Sequence, residues 1–153
     1  MLLRSSIPLL LLPLLFTAAA LAQSAPAVGV ANLISLRLLN ADSGLPMPNL
    51  KVGLYGDNGG KPLPITLLGD LYEVDITGQI TLRVGDITSP TSHATDFIAC
   101  TSLNLPAFDI KQIQAKGISP LNKCSKKTHP AAPGELIIFV RRTHWWERWK
   151  DTD

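Results

Sequence analysis

The 153-residue chain predicts a mainly β fold, a single β-sandwich carrying one or two short helices near its C-terminal part. Three observations predict it. Apolar residues alternate with polar ones in short runs, the period of a strand with one buried face. Clusters of Gly, Asn, Asp and Pro separate those runs as turns. Only one segment has a clear helical pattern, and no long helices are available to cover a parallel α/β sheet.

The first 22 residues stand apart from that domain. Arg4 supplies a positive n-region, Ile7 to Phe16 an apolar run, and Ala20-Leu21-Ala22 a small-x-small site before Gln23, the pattern of a secretory signal peptide cleaved after Ala22. A membrane span needs about 20 apolar residues. The stretch from Ile7 to Ala22 is shorter and is interrupted by Pro8 and Pro13. No cysteine follows the cleavage site to accept a lipid and no Arg pair precedes the apolar run, which disfavours lipoprotein and twin-arginine routes. The expected organisation is a signal peptide at 1–22, a flexible lead-in at 23–33, the sandwich at 34–142 and a Trp-rich tail at 143–153. The expected location is a periplasm or the cell exterior.

Structure is expected to begin near Ile34. Ile34, Leu36 and Leu38 alternate with Ser35 and Arg37 as a first strand, and Asn40 to Gly44 supplies a turn. Leu50, Val52 and Leu54 form a second, ended by Gly56-Asp57-Asn58-Gly59-Gly60. Ile65 to Leu68 and Leu71 to Val74 are short strands, and Asp75 to Gly78 turns the chain into the alternating Ile80, Leu82 and Val84. Gly85 to Thr95, polar and holding Pro90, is expected as an exposed loop, followed by a strand over Asp96 to Thr101. Asp109 is a good N-cap for a short helix with Ile110 and Ile113 on one face, Lys116 in its last turn, and Gly117-Ile118 as a Schellman ending. Ser119 to Gly134 is a loop punctuated by Pro120, Pro130 and Pro133. Glu135 to Arg142 is the strongest strand pattern, with an apolar middle that implies burial on both faces.

Charge divides unevenly. Residues 23–110 hold four basic and eight acidic side chains, whereas 111–153 hold nine basic and four acidic. A net charge near zero excludes a broad polyanion-binding protein but leaves room for a local basic surface. Cys100 and Cys124 are the only cysteines, and in an oxidising compartment they are expected to pair. Closing such a loop stabilises the fold by about 3.5 kcal/mol in the chain-entropy picture. A redox pair would ordinarily sit as C-x-x-C, a spacing this chain lacks.

Two turn-to-strand passages carry a resemblance. Asp42-Ser43-Gly44-Leu45-Pro46-Met47-Pro48-Asn49-Leu50-Lys51-Val52-Gly53-Leu54, and Asp75-Ile76-Thr77-Gly78-Gln79-Ile80-Thr81-Leu82, are similar to motifs of the carboxypeptidase regulatory-like and collagen-adhesin B-type modules. That resemblance covers about residues 34–84 and implies an Ig-like, prealbumin-like β-sandwich serving as a scaffold or binding module. Adhesin-type modules often carry a Lys to Asn isopeptide bond, and Glu135 to Arg142 has no Asn to form one. The region after Val84 departs from the usual module.

Catalytic signals are sparse. Prealbumin-like sandwiches include dioxygenases that hold iron with two Tyr and two His; Tyr55, Tyr72, His93, His129 and His144 supply the residue types without the close histidine pair. No G-x-S-x-G occurs, a bridged cysteine is no nucleophile, and Asp57-Asn58-Gly59-Gly60 lacks the spaced acids of a calcium loop. The sequence therefore predicts a non-catalytic protein without cofactor or metal; a small metal-dependent enzyme on this fold is an alternative resting on fold analogy alone.

The basic region offers the candidate interaction surface. It comprises Lys123, Lys126 and Lys127 of the proline-punctuated loop, Arg141 and Arg142 of the last strand, and Trp145, Trp146, Arg148 and Trp149 of the tail. Trp145 and Trp149 share a face if the tail is helical, and such a helix is expected to fold back over an open end of the sandwich. The expected partner is a protein or an envelope polymer; the alternative is a membrane surface met by the Trp and Arg tail. Nucleic acid is an unsuitable partner for an exported chain whose basic residues have no aromatic sheet beside them.

Overall fold

The structure, a computed structural model, describes residues 32–57, 59–91, 96–101, 107–144 and 146–147. The expected signal peptide, most of the lead-in, His93, Trp145, Arg148 and Trp149 lie outside the described residues. Among the described residues, eight strands and one helix follow in order: β1 (Leu33–Asn40), β2 (Lys51–Tyr55), β3 (Ile65–Leu68), β4 (Leu71–Asp75), β5 (Thr81–Thr88), β6 (Phe97–Ala99), β7 (Ala107–Asp109), α1 (Ile110–Lys116) and β8 (Glu135–Arg142). The fold is mainly β, as the sequence predicts.

All strands belong to one hydrogen-bonded sheet in the order β2-β5-β6-β8-β1-β4-β3, with β7 also pairing β5. Pairings are antiparallel except β1 with β8, which run parallel with Leu36 opposite Leu136 and Leu38 opposite Ile138. The two halves of the sandwich are thus parts of one curled sheet, joined where Ile87 of β5 meets Phe97 of β6. Curling brings Leu54, Leu82, Val84 and Ile87 of β2 and β5 into one core with Ile34, Leu36, Val74, Leu136, Ile138 and Val140 from the opposite half.

Strand β8 is buried on both faces. Leu136, Ile138 and Val140 enter that main core, whereas Ile137 and Phe139 point the other way and join Leu39, Ala41 and Cys100 in a second cluster. Cys124 and Ala131 of the loop over residues 119–134 pack on the second cluster, so this loop serves there as the covering layer. The apolar run of β8 follows directly, since a strand covered on both sides has no polar face to alternate with.

Turn chemistry follows the sequence. Asn40 Oδ1 accepts from the Asp42 and Ser43 amides, and Gly44 takes φ +73°. Asp75 Oδ1 accepts from the amide and hydroxyl of Thr77, with Gly78 closing the turn. Asp109 caps α1 by accepting from the Gln112 amide at 3.1 Å, and Ile110 and Ile113 form its buried face.

Three expectations need correction, and one strand was not expected. Residues 85–88 are strand, not loop, because the β2 register shifts between Val52 and Leu54 and β5 continues to Thr88. Gly85, which marks a loop in sequence, instead makes room for the Tyr55 ring: a Cβ there would sit 2.6 Å from Tyr55 Cε2. The helix does not end in a Schellman motif. Gly117 donates to Ile113, but the Ile118 amide bonds Glu135 and starts a bridge to β8 instead of closing back on the helix. Strand β7 has no counterpart in the sequence reading; its three residues pair the first half of β5. Finally, Trp146 and Glu147 form a turn, not a helix.

Candidate functional site

The candidate surface is built on the second face of β8. Cys100 follows β6 and bonds through its amide to Phe139, and its disulfide to Cys124 fastens the covering loop beside that strand. Cys124 is 24 residues further on and the two Cα atoms are 5.5 Å apart. The Lys123 amide donates to the Cys100 carbonyl, which fixes the loop on the residue before the bridge.

Asn122 does the rest. Only 4 % exposed, it donates from Nδ2 to the Ala41 carbonyl and to Ser125 Oγ, both at 2.9 Å. Its Oδ1 accepts from the amides of Cys124 and Ser125 at 3.0 and 3.2 Å. Ser125 Oγ also donates to the Ala41 carbonyl and accepts from the Lys127 amide. One buried amide therefore uses all its near hydrogen-bonding capacity to hold the loop to the end of β1. The inward-turned main chain leaves Lys123, Lys126 and Lys127 exposed, and none forms an ion pair among the described residues.

The strand arginines part company. Arg141 alternates with Ile137 and Phe139 and so lies on the loop-covered face. It is half-buried and grips Glu147 with two bonds, Nη1 to Oε2 at 2.9 Å and Nη2 to Oε1 at 2.6 Å. The Glu147 carboxylate also accepts from the His144 amide. Those bonds, the Arg141 contact first, pull its pKa down to about 2. Arg141 is therefore committed within the chain, whereas Arg142 is exposed. Trp146 stacks on His144 with ring centroids 4.3 Å apart and stays 50 % exposed, so this part of the tail is displayed and does not close over the sandwich. Of the candidate residues, the structure places the three lysines on one clamped loop and pairs Arg141 away; Trp145, Arg148 and Trp149 are outside the described residues.

Residues weighed for catalysis have other employment. Tyr72 is 3 % exposed and its hydroxyl donates to the Leu50 carbonyl at 2.8 Å; burial pushes its pKa up. Tyr55 lies over Gly53 and Gly85. His129 Nδ1 lies 2.9 Å from the Pro130 carbonyl. Asp57, in the glycine-rich turn, clasps the start of β5: its carboxylate accepts from the Thr81 hydroxyl and from the Ile80 and Thr81 amides, which lowers its pKa. Among the described residues no three His, Cys, Asp or Glu side chains converge as metal ligands, and no helix is long and apolar enough to cross a membrane.

Comparison with protein families, with curated proteins and with solved structures found no match to this chain.

Sequence reasoning identified the loop lysines and the bridge but missed Asn122. Its signal was present as an Asn two residues before a cysteine, in a segment with few other groups able to satisfy buried backbone. It also missed an open groove between β2 and β3, most of whose lining comes from residues that read in sequence as ordinary strand positions.

Proposed function

We propose that this chain is an exported, non-catalytic β-sandwich module, cleaved after Ala22, that works in a periplasm or outside the cell by binding a protein or envelope polymer rich in carboxylates or phosphates. The carrying observation is the clamped basic loop. Three exposed lysines within five residues, held by a disulfide and a buried asparagine, present positive charge in a fixed arrangement that needs little ordering on binding. Pairing of the only two cysteines supports an oxidising compartment, in agreement with the leader pattern. The two turn-to-strand motifs support kinship with carboxypeptidase regulatory-like and collagen-adhesin B-type modules, which serve as scaffolds and binding modules.

The test is a pull-down from envelope extracts with oxidised wild-type protein and with Lys123→Glu/Lys126→Glu/Lys127→Glu. Recovery of the wild type's partner is expected to fall at least tenfold in the variant and to fall with added salt in the wild type. Equal recovery by both proteins refutes the loop as contact surface.

The half-exposed Trp146, four residues after the exposed Arg142, favours a second reading in which the tail docks on a membrane surface. Truncation after Arg142 then abolishes binding to anionic vesicles while the domain stays folded.

A further inference from the structure

The curled sheet does not close. Among the described residues, β2 and β3 are the two ends of the strand order, and they diverge from a shared starting point. At the end nearest their connection the chain is hydrogen-bonded across: Leu63 donates to the Leu54 carbonyl at 2.7 Å, and Pro62 bridges Tyr55. One step further along, where Val52 and Leu50 would meet Ile65 and Leu67 in the same antiparallel register, the edges part. Between them lies an open groove of about 410 Å³ lined by Leu50, Val52, Ile65, Leu67, Tyr72 and Lys51 among others. Among the described residues, the bond across it is from the Tyr72 hydroxyl to the Leu50 carbonyl, at the base of the seam.

Among the described residues, the β3 edge facing this groove has main-chain groups with no backbone partner. Leu68 and Leu71 flank a two-residue turn opened by Gly69 at φ +66°, so they form a mutually bonded pair. Bonding then alternates along β3, and the Asp75 amide donating to the Pro64 carbonyl confirms the phase. Residues 64, 66 and 68 therefore bond β4, and the N–H and C=O groups of Ile65 and Leu67 point into the seam. Their side chains face the sandwich interior, opposite Val74 and Tyr72, leaving Leu67 40 % exposed. Among the described residues, Lys51 is the only charged one lining the groove, and it forms no ion pair.

We infer that this seam is a second binding site, one that takes an extended peptide as an added strand beside β3. The peptide's main chain pairs with Ile65 and Leu67, its alternate apolar side chains drop between Leu67 and Val52 onto the Tyr72 ring, and an acidic side chain or terminal carboxylate meets Lys51. Each requirement answers a separate feature: bare donors and acceptors call for a strand, the apolar walls for period-2 apolar residues, and the lone cation for an anion. The site shares no residue with the basic loop.

The experiment uses the oxidised full domain and a pool of synthetic eight-residue peptides with Val or Ile at alternate positions and one Glu. Amide hydrogen exchange is followed by NMR. On addition of the pool at millimolar concentration, the Ile65 and Leu67 amides are expected to slow at least tenfold, while the already paired Thr66 amide changes little. Backbone N-methylation of the peptides on the pairing side is expected to abolish the effect. Lys51→Glu is expected to weaken it for Glu-bearing peptides and restore it for Lys-bearing ones; Lys51 is at the surface, so folding is preserved. No slowing with any peptide overturns the proposal. Slowing that rises with protein concentration in the absence of peptide also overturns it, because the occupant is then a second copy of the chain.

Discussion

Replacing Asn122 by alanine tests whether the basic loop is held by its hydrogen bonds or by the disulfide alone. The substitution removes two acceptor contacts to the Cys124 and Ser125 amides and two donor contacts, to Ala41 and Ser125. The Ala41 carbonyl keeps the Ser125 hydroxyl, so that group is not orphaned. Cys124 and Ser125 are half-buried, and water reaches their amides only in part. Counting about 1 kcal/mol for each stranded amide and somewhat less for the lost donor contacts gives a destabilisation of about 2–3 kcal/mol. With an m-value of about 1–3 kcal/mol/M, the urea midpoint measured without reductant should drop by roughly 0.7–3 M at unchanged slope. A loss below about 0.5 kcal/mol would refute the reasoning and leave the bridge as sole fastener. Asn122→Asp is the sharper companion: it keeps the acceptors, turns a carboxylate toward the Ala41 carbonyl, and should be at least as damaging.

Other outcomes follow from the same geometry. Glu147 has a folded pKa of about 2 against an ordinary value of 4.5, so its contact with Arg141 is fully present above about pH 4.5 and is lost as pH falls through about 2. A carboxyl NMR titration checks this, and Arg141→Ala should return the midpoint toward 4.5. Asp57 is lowered from 3.8 chiefly by the Thr81 hydroxyl, so its clasp on β5 is complete above pH 3.8 and fails only as the solution becomes more acidic; Thr81→Ala should raise its titration midpoint. Tyr72→Phe leaves the Leu50 carbonyl without its donor and should cost about 1–2 kcal/mol in urea denaturation, without loss of the ring's packing. Mass spectrometry of exported protein should find Gln23 at the N-terminus; an intact Met1 would contradict the leader reading.

Local chemistry was legible wherever one residue type solves one backbone problem. Asp109 and Gly117 bracket α1, Asn40 and Asp75 hold their turns, and β3 and β8 have the bounds their patterns indicate. What failed to show depends on partners distant in sequence. Gly85 reads as a loop residue because nothing nearby reveals the Tyr55 ring 30 positions earlier. β7 is three residues long, too short for a period, and exists because β5 offers an edge. The commitment of Arg141 to Glu147 was invisible for a similar reason: a cation in a basic run looks free until the turn at Trp146 brings the acid back. The groove was least legible of all, since it arises from where two strands fail to meet.

The disulfide and the double burial of β8 are two sides of one arrangement. A strand with Ile137 and Phe139 on its outer face needs a cover, and the sheet supplies none there; the cover is an irregular loop with little periodic bonding of its own. Ordering such a segment costs about 1–2 kcal/mol per residue in backbone entropy. Asn122 and the apolar contacts offset part of that, and the cross-link lowers the remainder by about 3.5 kcal/mol in the chain-entropy picture. Against a total stability of about 5–15 kcal/mol for a domain, this share decides whether the loop stays down. In a reducing compartment the loop would lift more readily, exposing Phe139 and scattering the three lysines, so the same bridge that completes the core also fixes the proposed contact surface. The apolar outer face of β8 and the cysteine pair thus depend on one another, because the second cluster keeps its cover most firmly where the thiols are oxidised.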